Sequence, residues 1–214
     1  MRTEQEKLEF LNKELGTDYT SLNKVDWYHI SINPILTNDF IREFKDELDW
    51  INISKYRILS ESFIREFSDK VDWNQISRYQ KLSEDFIREF KNKVDCDMCW
   101  FEISISQKLS EDFIREFQNK VDWYCISKYQ KLLESFIREF QDKVDWVMIS
   151  QFQRLSEDFI REFQDKVEWS NISQFQRLFE DFIREFHDKV DLYNILKYQH
   201  LHETFRREII DIIK

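Results

Sequence analysis

The sequence predicts an all-α solenoid, about eight short αα-hairpins stacked in series with a capping helix at each end. Three observations predict it. The pentapeptide Phe-Ile-Arg-Glu-Phe begins at Phe40, Phe63, Phe86, Phe113, Phe136, Phe159 and Phe182, and a degraded Phe-Arg-Arg-Glu-Ile begins at Phe205. Seven tryptophans share one phase of the same repeat, at Trp27, Trp50, Trp73, Trp100, Trp123, Trp146 and Trp169. The spacing is 23 residues at every step but one, from Phe86 to Phe113, where it is 27. An active site is built once, so a segment such as Ser-Glu-Asp-Phe-Ile-Arg-Glu-Phe that recurs at 83–90, 110–117 and 156–163 points to architecture.

The elements follow in chain order. Residues 1–25 differ from the repeat. Thr3 and Glu6 have the spacing of a capping box, Leu8, Leu11 and Leu15 share a helical face, and Gly16 stands where a helix end favours a left-handed residue. This predicts an N-terminal capping helix and connector. Tandem repeats fill residues 26–201, and a C-terminal capping helix fills 202–214.

Each repeat holds two helices. Ser83 is a good N-cap, and Glu84 and Asp85 put negative charge on the first turn, where the helix dipole favours it. Phe86, Ile87, Phe90 and Val94 then form a helical stripe, which predicts a helix A of about ten residues. Glu84 precedes Arg88, and Glu89 precedes Lys93, at the favourable i,i+4 spacing worth about 0.2–0.5 kcal/mol a pair. Asp72 caps a second start, and Trp73, Ile76 and Tyr79 follow as one buried stripe, which predicts a helix B of about eight residues. Val71 with Ile76, and Leu82 with Ile87, are placed as hydrophobic clips around the two caps. A lone hairpin cannot bury both of its faces, whereas stacked neighbours can, so the copies need one another.

Several positions break the pattern. Leu133, Phe179 and His202 replace the capping serine at a cost of about 1 kcal/mol each, so those turns are expected to be looser or packed differently. Asn33-Pro34 is expected to shorten the first helix B. The four extra residues are placed at Cys96-Asp97-Met98-Cys99, about one helical turn, and enter as a lengthened helix or a bulged loop. They create a Cys-x-x-Cys with three open readings: an incidental insertion, a metal site completed by Cys125, or a redox pair. At the far end Ile209, Ile210, Ile212 and Ile213 either pack back on the array or form a contact between two copies of the chain.

The composition excludes several functions. A formal charge of −10 argues against nucleic acid as the partner, which usually needs a basic face. No apolar run approaches the ~18 residues of a membrane span, and the first residues lack the apolar core of a signal peptide. Three cysteines do not make a disulfide framework, so an intracellular, reduced setting is expected. One glycine in 214 residues leaves no Gly-rich phosphate loop. His29, His187, His200 and His202 have no nucleophile or acid constellation beside them. Neither an enzyme nor a cofactor is expected.

The copies differ most at the two positions after each Trp phase. These are Tyr28-His29, Ile51-Asn52, Asn74-Gln75, Phe101-Glu102, Tyr124-Cys125, Val147-Met148, Ser170-Asn171 and Tyr193-Asn194. They fall in the first turn of helix B, away from the stripe, and many are apolar where a solvated edge would carry Lys or Glu. They are read as a binding strip whose chemistry changes from copy to copy. The residue after each Ile-Ser is often basic (Lys55, Arg78, Lys128, Lys197), as is the one before the closing Leu (Lys81, Lys108, Lys131, Arg154, Arg177).

The unit S-E-D-F-I-R-E-F…K-V-D-W-x-x-I-S-x-Y-Q-x-L resembles tandem repeat proteins of large DNA viruses and of bacteria with AT-rich genomes. The chain's lack of alanine and its wealth of Phe, Ile, Asn and Lys fit such a coding bias. The resemblance runs from residue 26 to the last repeat. It implies a setting of host–virus or cell–cell conflict and no particular activity. The function expected is non-catalytic binding of another protein along an elongated repeat surface. Two alternatives are an inhibitor that blocks a nucleic-acid enzyme with acidic helix A faces, and single-strand binding by the basic, aromatic edge.

Overall fold

The computed structural model describes residues 2–213, and these form helices with no strand among them. They divide into two compact units, one ending at Ser106 and the other beginning at Gln107. The first contains α1 (Glu4–Leu15), α2 (Trp27–Ser31), α3 (Asn38–Glu43), α4 (Trp50–Tyr56), α5 (Glu61–Glu66), α6 (Trp73–Tyr79), α7 (Glu84–Glu89) and α8 (Asp97–Ser106). The second contains α9 (Glu111–Glu116), α10 (Trp123–Tyr129), α11 (Glu134–Glu139), α12 (Trp146–Phe152), α13 (Glu157–Glu162), α14 (Trp169–Phe175), α15 (Glu180–Glu185), α16 (Leu192–Tyr198) and α17 (Glu203–Ile213). Within the first unit α4 packs between α2 and α6, and α6 packs on α8. Within the second, α12 lies between α10 and α14, and α14 packs on α16. This is the α-solenoid of short hairpins that the repeat predicts. No helix among the described residues is long and apolar enough to cross a membrane.

The caps act as expected. The Ser83 hydroxyl accepts from the Phe86 amide at 3.2 Å and the Asp72 carboxylate from the Gln75 amide at 2.9 Å. Thr3 and Glu6 close a full capping box, and Gly16 has φ 66°. Proline shortens α2 to five residues, against seven in α4. The insertion enters as a lengthened helix, since α8 has ten residues and starts before Trp100.

Helix A is shorter than its stripe suggested, at six residues. After Glu89 the chain tightens, and the Phe90 carbonyl accepts from both the Lys93 amide at 2.8 Å and the Val94 amide at 3.1 Å. That turn carries Val94 into the core. It also takes Lys93 out of reach of Glu89. Lys93 instead bonds Asp69 at 2.8 Å, and Glu89 accepts from Arg65 at 2.8 Å, both in the preceding copy.

The core is Phe and Ile from helix A and Ile from helix B, with the tryptophans wedged between copies. Trp146 stands 5.0 Å from Phe163 and 6.2 Å from Phe159, and its Nε1 donates to the Gln141 carbonyl at 2.9 Å. The expected third member of the stripe is not core: Tyr79 is exposed. Three residues advance a helix by 300°, and six by 600°, which leaves Tyr79 about 120° from Trp73.

Buried polar side chains tie the copies together. Ser150 Oγ donates to the Trp146 carbonyl and accepts from the Glu168 amide at 2.9 Å, and Ser54, Ser127 and Ser173 accept likewise from Asp72, Asp145 and Asp191. A glutamine follows each helix B from α6 onward. Gln153 accepts from the Leu132 amide at 3.1 Å and donates to the Ser127 and Gln130 carbonyls at 2.8 Å. Gln80, Gln176 and Gln199 repeat the clamp. Arg57 occupies the same register, donates to the Pro34 carbonyl, and has its Nε buried without a partner.

The turns at Leu133 and Phe179 are not looser. Neither side chain makes a cap bond, yet their dihedrals (−81°, 151° and −87°, 156°) match those of Ser156 (−79°, 155°). Their amides are held by the preceding copy, at Glu111 and Glu157, at 2.8 and 2.7 Å. In α17, Phe205 and Ile209 are buried while Ile210 and Ile212 are exposed.

Candidate functional site

The post-Trp strip resolves into two columns with different fates. The first position is exposed in every copy, at Tyr28, Ile51, Asn74, Phe101, Tyr124, Val147, Ser170 and Tyr193. The second turns toward the neighbouring copy. Asn171 and Asn194 donate to the Val147 and Ser170 carbonyls at 3.2 and 3.5 Å. Glu102 faces Arg78 at 3.5 Å. Asn52, Glu102 and Cys125 are buried, Gln75, Met148, Asn171 and Asn194 are half-buried, and only His29 stays exposed, paired to Asp26 at 2.6 Å. Asn52 and Glu102 are therefore seam residues. Each step of one residue turns the side chain by about 100°, so a column just beyond an exposed one can already meet the adjacent helix.

Two further columns share the outer face of the B helices. Tyr129, Phe152, Phe175 and Tyr198 close the helices of the second unit, and each is between 42% and 49% exposed. Tyr56 and Tyr79 do the same in the first unit. Sequence reasoning placed these rings in the core, although carrying the helical angle to the sixth residue would have turned them outward. Beside them lie Lys131, Arg154 and Arg177, exposed and without an ion-pair partner among the described residues. In the second unit the aromatics and cations border two adjoining hollows of about 820 and 1020 Å³ that share Phe152 and Arg154. Lys128 adds its ammonium 5.4 Å from the Phe152 ring.

Charges on the helix A side are matched instead. Arg115, Arg138 and Arg161 each meet the glutamate of the following copy (Glu139, Glu162, Glu185) at 2.7–2.9 Å. In the first unit Arg42 and Arg65 bond Glu66 and Glu89 at 2.8 Å, and Lys70 bonds Asp46 at 2.7 Å. These bonds hold carboxyls below their ordinary range: Lys70 lowers Asp46, Lys93 lowers Asp69 and Arg42 lowers Glu66. A depressed folded pKa gives stability that is complete above the ordinary values of 3.8 and 4.5 and lost as pH falls through the lowered ones. The melting temperature should hold level down to about pH 5 and then fall. The fall should shrink in about 1 M salt, where exposed pairs are screened. A drop beginning near neutral pH would refute the ladder as its source.

Cys96 and Cys99 form a disulfide at the start of α8, and the Asn74 side-chain oxygen stands 3.2 and 3.0 Å from the two sulfurs. Cys125 is a free, buried cysteine. No group of three His, Cys, Asp or Glu among the described residues is placed to hold a metal ion. The chain matches no protein-family model, no curated protein and no solved structure.

Proposed function

We propose that the chain is a non-catalytic binding protein whose partner is another protein, met by the outer face of the B helices. One observation carries the reading. The residue after the Trp phase is exposed in all eight copies, and in six it is aromatic or aliphatic: Tyr28, Ile51, Phe101, Tyr124, Val147 and Tyr193. Around it the packing frame scarcely changes. Exposed apolar side chains at one register of successive copies are a common mark of an interaction surface. An inhibitor acting through acidic helix A faces has less support, because those glutamates are matched by arginines of neighbouring copies.

The test replaces Tyr28, Ile51, Phe101, Tyr124 and Tyr193 by alanine together. Surface changes of this kind stay within about 0.5 kcal/mol each, so melting should shift little. Proteins captured from a lysate by the wild-type chain should be lost from the variant. Collapse of the melting transition would make these residues core, and unchanged capture would remove them from the contact.

A further inference from the structure

We propose that the groove of the second unit between Lys128 and Phe179 binds an extended, polyproline-like peptide with an acidic side chain at every third residue and apolar side chains between. This deepens the protein-binding reading and rests on it.

The rim of the groove gives up stability without a structural gain. Leu133 and Phe179 stand where Ser110 and Ser156 accept a cap bond. They make none, and they are 64% and 65% exposed. The backbone follows the same path with or without the serine, so folding does not require these side chains. Both line the groove, Leu133 on one hollow and Phe179 on the next. Large exposed apolar side chains at the rim of a groove are a mark of an interaction surface.

The floor and charge of the groove name the ligand. Tyr129, Phe152 and Phe175 present half-open rings. Lys131, Arg154 and Arg177 have no ion-pair partner among the described residues, in a chain of formal charge −10. The neighbouring acids are engaged: Glu134 accepts from the Ser156 amide at 2.6 Å, Glu157 from the Phe179 amide at 2.7 Å, and Asp158 pairs with Arg161 at 2.9 Å. The lining of the two hollows still holds five lysines and arginines against three acids, so its charge is positive although the chain is acidic. Packed helices stand about 8–10 Å apart. A polyproline II chain advances ~9 Å in one turn of three residues. Every third side chain thus meets the next cation, and the residues between lie on an aromatic-lined groove, a recognised mode for such peptides. A nucleic-acid strand fits less well, because Leu133 offers no stacking face.

The experiment uses the full chain and fluorescein-labelled (Glu-Pro-Leu)4, (Lys-Pro-Leu)4, (Glu-Pro-Ser)4 and a dT12 oligonucleotide, read by fluorescence anisotropy. (Glu-Pro-Leu)4 should bind at least tenfold more tightly than the other three. Leu133→Ser with Phe179→Ser should weaken it at least tenfold and raise the melting temperature. Arg154→Glu with Arg177→Glu should weaken it as much and leave melting unchanged. Absent binding, tighter binding of the lysine peptide or the oligonucleotide, or indifference to the Leu133/Phe179 pair overturns the proposal. Loss of lysate capture in the five-alanine variant would then still stand for the broader reading, and failure of both would remove both.

Discussion

Gln153→Leu should destabilise the protein by about 3–5 kcal/mol, although leucine has nearly the same volume. Gln153 is buried and serves three backbone groups of the copy before it. Its amide oxygen accepts from Leu132, and its amide nitrogen donates to Ser127 and Gln130. Leucine removes both functions at once. Each buried group left unpaired costs about 1–3 kcal/mol, far more than the net gain of the bond it had made. Because repeat arrays are held by nearest-neighbour interfaces, the damage falls on the seam between two copies. Denaturant unfolding measures it, with Gln151→Leu as the control: Gln151 sits two residues away, half-exposed. A cost below about 1 kcal/mol would mean that the three groups find other partners and that the clamp is not what joins the copies.

How much of this was legible in the sequence depended on whether the signal was local. Ser83, Asp72, Thr3 and Gly16 act within one turn of chain, and each does what its position implies. The long α8 was open from the four-residue insertion. Lys93 was misassigned because its partner lies in the previous copy, reached only after the tight turn at Phe90. The glutamines carried no signal in the sequence, because the three backbone partners of Gln153 lie more than twenty residues back in the chain. Asn52 and Glu102 looked exposed because a single helix does not show which neighbour will cover it. Tyr79 was a failure of angle alone. Spacings of three suggest a stripe, but over seven residues they walk around the helix. The groove required all of these together, since its rings, cations and rim residues come from successive copies.

Phe159→Ala and Phe152→Ala should part company, and the contrast tests which aromatics hold the fold. Phe159 is 0% exposed, with its ring centroid 4.7 Å from Phe163 and 6.2 Å from Trp146. Truncation leaves a cavity between helices that cannot close on it, and the expected loss is about 3–5 kcal/mol. Phe152 stands seven residues earlier and is 46% exposed at the end of α12. Its truncation removes surface that water already reaches, so the expected cost is within about 1 kcal/mol. Chemical denaturation of the two variants decides the matter, and anisotropy with (Glu-Pro-Leu)4 sharpens it. Phe152→Ala should weaken peptide binding while the protein stays folded. If Phe152 proves as costly as Phe159, its ring is packed, the groove has no free aromatic floor, and the repeat spends its rings on the core alone.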